Sequence, residues 1–169
     1  DSEKIIKNAI SQGFKVWFKR SKYLSDDKSG KIPVIIDALN KAEVKYSKKF
    51  NTIIDLDITS PLRKISDVIN AYNKFKKYNL DNLFSVTKSR HSPYFNMVEN
   101  KYNSYKLIKD NMKFNRRQDV PNTYSLNASI YIWKRKILLK NKSLFNKKTG
   151  IYEMPYERSI DIDNKFDLN

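Results

Sequence analysis

The sequence predicts a three-layer α/β domain, and three observations carry that expectation. Short β-branched or aromatic runs alternate with helical patterns, and the helical patterns are apolar on one face only. The third is the stretch Asn51–Arg63 (NTIIDLDITSPLR), a β-branched run that ends abruptly in Asp, Thr, Ser and Pro before the next helical pattern. A buried strand that delivers polar side chains at its carboxyl end is the place where open α/β sheets bind ligands.

Taken in order, Ser2–Gln12 places Ile5, Ile6, Ala9 and Ile10 on one helical face and stops at Gly13, a residue suited to a left-handed helix end. The pattern starts almost at the first residue, Asp1, as though the chain began just after a strand. Phe14–Phe18 (FKVWF) reads as a strand followed at once by Arg20. Lys22–Lys31 is a polar loop containing Asp26, Asp27 and Gly30, and it leads through Pro33 into a helix with Ile35, Ile36, Leu39 and Val44 on its core face. After the central strand, Ile65, Val68, Ile69, Tyr72 and Phe75 recur at helical spacing, with Ser66 as the expected N-cap. Asn82–Thr87 is a second short strand. Regular alternation then stops, and residues 88–121 read as an excursion such as a hairpin arm, of a kind that covers a site or mediates dimer contacts. Tyr124–Trp133 restores a strand, with Asn127 inside it needing a hydrogen-bond partner, and Lys134–Lys140 is a short helix.

With 169 residues, 40% of them hydrophobic, the chain suffices for one domain with a real core, and no stretch is apolar for long enough to span a membrane. The absence of cysteine removes disulfides, thiolate zinc sites and cysteine nucleophiles, and it is consistent with a reducing cytoplasm. No signal peptide is visible. The formal charge of +16 invites a nucleic-acid partner. The distribution argues against one: the basic residues are mostly lysines scattered among asparagines, without a stripe or a stacking-aromatic motif. A solvated lysine-rich surface, with a positive field that steers anionic substrates, accounts for them.

Chemistry concentrates in two places. Asp57 stands at the carboxyl end of the central strand, where a carboxylate needs a partner, whereas Asp55 faces a neighbouring element or solvent. Near the end of the chain Ser159-Ile160-Asp161-Ile162-Asp163 alternates, so an extended segment turns both carboxylates to one side and both isoleucines to the core. Two carboxylates on one face hold Mg²⁺ alongside substrate phosphates; a solvated loop or helix start is the other reading of so short a motif. His91, the only histidine, fits either a surface loop or a substrate contact. Trp17 and Trp133 lie on strand patterns and read as core, and Tyr131 fits either core packing or the lining of a pocket.

These pieces together resemble the acylneuraminate cytidylyltransferases, which make CMP-activated sialic and related nonulosonic acids. Asp1-Ser2 is similar to the end of the family's Ser-Thr-Asp-Ser segment, and Arg20 with Leu24 to its Arg-Pro-x-x-Leu-Ala. Thr59-Ser60-Pro61-Leu62-Arg63 resembles Gln-Pro-Thr-Ser-Pro-Leu-Arg, Arg117-Gln118 with Pro121 and Asn127 resembles Arg-Gln-x-x-Pro…Asn-Gly-Ala-x-Tyr, and residues 159–163 reproduce Ser-Ile-Asp-Ile-Asp. The resemblance covers nearly the whole chain. It implies a Rossmann-like, three-layer nucleotidyltransferase domain over residues 1–169 with a protruding dimerisation arm at 88–121, and a homodimer. The implied reaction transfers CMP from CTP to a nonulosonic acid and releases pyrophosphate. Asp161 and Asp163 would be catalytic and hold Mg²⁺; Arg20 and Ser29 would lie by the nucleotide; Asp57, Arg117, Asn127 and Tyr131 would line the sugar side, Arg117 from the arm or the partner subunit.

Three departures bear on that implication. Asp57 and Ile58 stand where sialic acid enzymes carry Gln and Pro, which points to a different sugar, and Lys31-Ile32-Pro33 and Pro93-Tyr94-Phe95-Asn96-Met97 resemble the branch acting on legionaminic-type acids. Ala128 stands where Gly is usual, which matters only if the backbone there takes a positive φ. The family's first strand and its Ala-Arg-Gly-Gly-Ser-Lys-Gly loop, which cradle the CTP triphosphate, are expected to precede Asp1, and these 169 residues without them are expected to be inactive. A truncated or degenerate protein that binds sugar or nucleotide without turnover is the alternative.

Overall fold

A computed structural model describes the chain except Asp1, Asp27, residues 110–113, Asn115 and Asn169, and except the side chains of Arg117 and Leu168. The chain divides into two compact units, Asp1–Ile53 with Trp133–Asn146, and Ile54–Ile132 with Lys147–Asn169.

The first unit is helical. α1 (Glu3–Ser11), α2 (Lys31–Lys45) and α4 (Arg135–Asn141) form where the periodicity predicts them, and Gly13 takes the expected left-handed conformation, φ +85°. α2 buries Ile35, Leu39 and Glu43, a stripe at spacing four. Val44, expected in the core, lies one residue off that stripe and is 80% exposed. Phe14–Phe18 is not a strand, because its backbone joins no ladder among the described residues and its aromatic rings engage instead. Trp17 packs on Phe18 and Tyr46 at centroid distances of 4.5 and 6.2 Å, while Lys41 and Lys45 lie over Phe18 and Trp17. Trp17 is accordingly at the surface, 36% exposed, whereas Trp133 is buried as expected.

Glu43 is the buried charge of this unit. Arg135 grips it with both ends of its fork (Nε to Oε1 2.6 Å, Nη2 to Oε2 2.9 Å), and Lys49 Nζ and the Phe50 N–H complete its partners. The Arg135 hydrogen bonds hold the Glu43 carboxyl down at about 2, against an ordinary 4.5. A depressed carboxylate adds stability that is fully present above its unfolded value and is lost as pH falls towards the folded one. Acid titration of the melting temperature should therefore show the unaltered protein losing, between pH 4.5 and 2, a margin that Glu43→Gln already lacks at neutral pH. Parallel titration curves for the two proteins would count against this.

A four-stranded sheet has the order β1-β5-β2-β6, with β1 at Thr52–Leu56, β2 at Asn82–Lys88, β5 at Tyr124–Lys134 and β6 at Thr149–Glu153, all of it in the second unit except Thr52, Ile53, Trp133 and Lys134. β2 and β6 are parallel, in register from Asn82 opposite Thr149 to Val86 opposite Glu153. The bonds that flank β1, Asp57 N–H to Ser129 O and Arg135 N–H to Asn51 O, are the crossed pairing of antiparallel neighbours, so the sheet is mixed. β6 was not foreseen: Thr-Gly-Ile-Tyr-Glu is short and carries a glycine, and only its pairing with β2 makes it a strand. A Cβ at Gly150 would run into the end of the Leu80 side chain, which would have to move aside. β1, expected to be buried, is an edge strand with Ile54 and Leu56 exposed.

α3 (Ile65–Lys77) lays Ala71 and Phe75 against Leu83, Ile130, Ile132 and Met154 to make the core of this unit. Its N-cap is Lys64 rather than Ser66, because the carboxylate of Asp67 accepts the Lys64 N–H at 2.9 Å. Within residues 88–121 the chain forms a hairpin, β3 (Val98–Lys101) with β4 (Ser104–Leu107). Tyr102 and Asn103 both take positive φ at its two-residue turn, and Tyr102 is 97% exposed.

Ala128, in β5, has φ +54°. Left-handed backbone costs a residue with a Cβ about 1 kcal/mol, and glycine escapes that cost while losing more freedom on folding. Ala128→Gly is expected to raise the melting temperature by about 2 °C. A lower melting temperature would mean that the Cβ is needed for packing.

Candidate active site

The loop after β1 is fastened from below. Asp57 accepts a bond from Thr59 Oγ1 at 3.2 Å through Oδ1, while Arg63 Nη1 donates to Asp57 O (3.1 Å), Ser129 O (2.8 Å) and Ser129 Oγ (3.1 Å). Ser60 is buried and donates to Asn127 O at 3.4 Å. The Thr-Ser-Pro-Leu-Arg stretch is thus tied to the point where Ala128 turns left-handed, and that turn separates Asn127 from Ser129.

The C-terminal carboxylates come to the same loop. Ile162 N–H donates to Thr59 O at 2.8 Å, which sets the segment holding Asp161 and Asp163 against Thr59. Asp161 has a buried Oδ1 with no hydrogen-bond partner among the described residues, whereas Asp163 is exposed and its N–H donates to Asp167 Oδ2 at 2.9 Å. Ile160, expected to point into the core, is exposed. An unpartnered buried carboxylate oxygen is costly unless a cation or donor meets it, so the donor set fits a hard cation such as Mg²⁺. Among the described residues no group of three or more His, Cys, Asp or Glu could hold a metal; Mg²⁺ bound with substrate phosphates takes one or two carboxylates.

Asn127 links β5 to β2 and to the start of this segment. It is buried, its Oδ1 accepts the Ser85 hydroxyl at 2.6 Å, and its Nδ2 donates to Ser159 Oγ at 2.9 Å and to Met154 Sδ at 3.4 Å. Tyr131 is buried, with its ring 6.5 Å from that of Phe84. The Arg117 side chain lies outside the described residues; its backbone is in a 3-10 turn, Arg117–Asp119. Arg20 and Ser29 belong to the first unit, where the Ser29 hydroxyl bonds Asp26 Oδ1 at 2.6 Å and Tyr23 O at 2.8 Å. His91 is in an exposed loop and its carbonyl accepts the Ser89 hydroxyl.

Three residues near these carboxylates went unread in the sequence. Arg63 stands inside the Thr-Ser-Pro-Leu-Arg motif without a role, Arg158 directly precedes the Ser-Ile-Asp-Ile-Asp segment, and Asp67 is a polar position of a helical pattern. Arg158 Nε and Nη2 donate to Asp67 Oδ2 and Oδ1 at 3.0 and 2.9 Å, and the Tyr152 hydroxyl meets Oδ1 at 3.3 Å. The Arg158 bonds hold the Asp67 carboxyl below its ordinary range against the opposing effect of burial. No sequence period announces a pair this far apart in the chain.

No family model matches the chain. Known proteins do. The flagellin modification protein B of Campylobacter coli is 42% identical over 169 residues, 99% of this chain and 71% of that protein. The CMP-N,N'-diacetyllegionaminic acid synthase of Campylobacter jejuni is 41% identical over 99% of this chain and 71% of its own length. The N-acylneuraminate cytidylyltransferase of Streptococcus agalactiae is 27% identical over 99% of this chain and 39% of its own. An α/β sheet with a polar loop at a strand end, and relatives of these names, make the chain a nucleotidyltransferase. Within that class it belongs to the family of cytidylyltransferases that form CMP-nonulosonic acids.

Proposed function

We propose that the protein transfers CMP from CTP to a nonulosonic acid of legionaminic or sialic type. The observation that carries the reading is the buried Asp161 Oδ1, without a hydrogen-bond partner among the described residues, in a segment that Ile162 N–H ties to Thr59 O; the identity to the C. jejuni synthase supports a legionaminic-type sugar. The anomeric hydroxyl oxygen bonds to the α-phosphorus of CTP, the bond to pyrophosphate breaks, and the hydroxyl proton passes to one of the two carboxylates. Asp161 and Asp163 hold Mg²⁺, which when bound neutralises charge on the phosphates. Arg20 and Ser29 serve the nucleotide. Asp57 and Arg117 meet the sugar, Arg117 through its fork on the carboxylate. Asn127 and Tyr131 form the buried floor of the sugar side. The domain is Rossmann-like, the hairpin within residues 88–121 is a dimerisation arm, and the protein acts as a cytoplasmic homodimer.

Pyrophosphate release by the full-length protein, given CTP, Mg²⁺ and sialic or legionaminic acid side by side, tests this. Release with legionaminic acid, with little from sialic acid, is the expected result. Release with neither, from a folded protein that binds CMP-sugar, would replace transfer by binding.

A further inference from the structure

The carboxylate segment is anchored on three sides, and the anchor nearest its start is ionic. Arg158 lies three residues before Asp161 and closes the 3-10 turn Tyr156–Arg158. Its guanidinium is bidentate on Asp67, whose side chain is 1% exposed and sits in the first turn of α3, the helix that follows the Thr-Ser-Pro-Leu-Arg loop. The Asp67 carboxylate accepts from two Arg158 nitrogens, the Lys64 N–H and the Tyr152 hydroxyl, each held in a fixed place. The other two anchors are Asn127 Nδ2 on Ser159 Oγ and Ile162 N–H on Thr59 O. Asp161 stands between them.

We infer that Asp67 and Arg158 are positioning residues for the divalent cation: their ion pair sets where the Asp161 carboxylate stands, and it keeps the Arg158 cation from taking that carboxylate itself. The inference rests on the proposed metal role of Asp161. A fork with two bonds fixes both the distance and the plane of the turn before the carboxylates, which a single lysine bond does not. Groups that orient a metal ligand, without touching the metal, commonly change metal affinity tenfold to a hundredfold when removed. Loss of Asp67 also frees a guanidinium three residues from Asp161, a positive charge that competes with the cation.

Mn²⁺ in place of Mg²⁺ makes the test independent of turnover, because free Mn²⁺ is counted by its paramagnetic resonance signal. In the full-length protein, Asp67→Asn and Arg158→Met are expected to weaken Mn²⁺ binding by about tenfold or more. The Mg²⁺ concentration for half-maximal pyrophosphate release should rise in parallel. Arg158→Lys should recover part of the loss. Glu43→Gln, which removes the ion pair of the other unit, should melt lower and bind Mn²⁺ as the unaltered protein does. Unchanged Mn²⁺ affinity in folded Asp67→Asn and Arg158→Met overturns the inference; if neither folds, equal affinity of Arg158→Lys and the unaltered protein does so. No Mn²⁺ binding by the unaltered protein, either alone or beyond what CTP itself takes up when present, also overturns it. Mn²⁺ binding that the variants weaken, in a protein that transfers CMP to no sugar, leaves the positioning pair standing and removes the proposed reaction.

Discussion

Asp161→Asn in the full-length protein is expected to reduce CTP-dependent pyrophosphate release by about a thousandfold and to leave the fold intact or slightly more stable. The two halves of that result have one cause. Asp161 Oδ1 is buried with no hydrogen-bond partner among the described residues, so the fold carries the cost of a desolvated oxygen that a ligand would relieve. An amide in its place removes a charge that Mg²⁺ needs and costs less to bury. Without metal, the variant should melt at or above the temperature of the unaltered protein, by about 1 kcal/mol at most. Added Mg²⁺ with CTP should raise the melting temperature of the unaltered protein and leave that of the variant where it was. A variant that keeps its Mg²⁺ response and its turnover would move the cation to another ligand set and end the reading of Asp161 as a metal residue. Asp163, exposed and joined to the fold there through its backbone N–H, should show the loss of turnover without the gain in stability.

What was legible in the sequence, and what was not, follows from the range of each interaction. α1, α2, α3 and α4 were visible because their apolar spacing and their ends are local, and Gly13 took the conformation its position required. β2 and β5 were visible because their runs are apolar, with β-branched or aromatic residues, and are bounded by polar stretches. Phe14–Phe18 has the same composition, yet a strand is made by its neighbour, and here the rings of Trp17 and Phe18 find α2 instead. β6 failed in the opposite sense, since five unremarkable residues become a strand by pairing with β2. The position of Asp161 and Asp163 in one short extended segment was legible through the motif. The Asp67–Arg158 pair and the Asn127–Ser85–Ser159 cluster were not, because each joins positions that no helical or strand period relates.

Asn127→Ala carries the largest expected effect on stability. Residue 127 is 4% exposed, so the substitution leaves a cavity where an amide stood. The Ser85 hydroxyl loses its 2.6 Å acceptor while still receiving the Ile130 N–H at 2.7 Å, and Ser159 Oγ loses its donor. Buried groups that lose partners are costly, and the bonds of such a cluster support one another. Together these amount to about 3 kcal/mol, a fall in melting temperature of about 6–12 °C. Because the amide is spent on protein partners, Asn127→Ala assayed well below its melting temperature should keep its KM for the sugar within about threefold of the unaltered value, a difference of under 1 kcal/mol in binding. A tenfold rise in that KM with the melting temperature unmoved would show the opposite: that the amide turns out to the sugar, and that Ser85 and Ser159 hold β5 and the carboxylate segment without it.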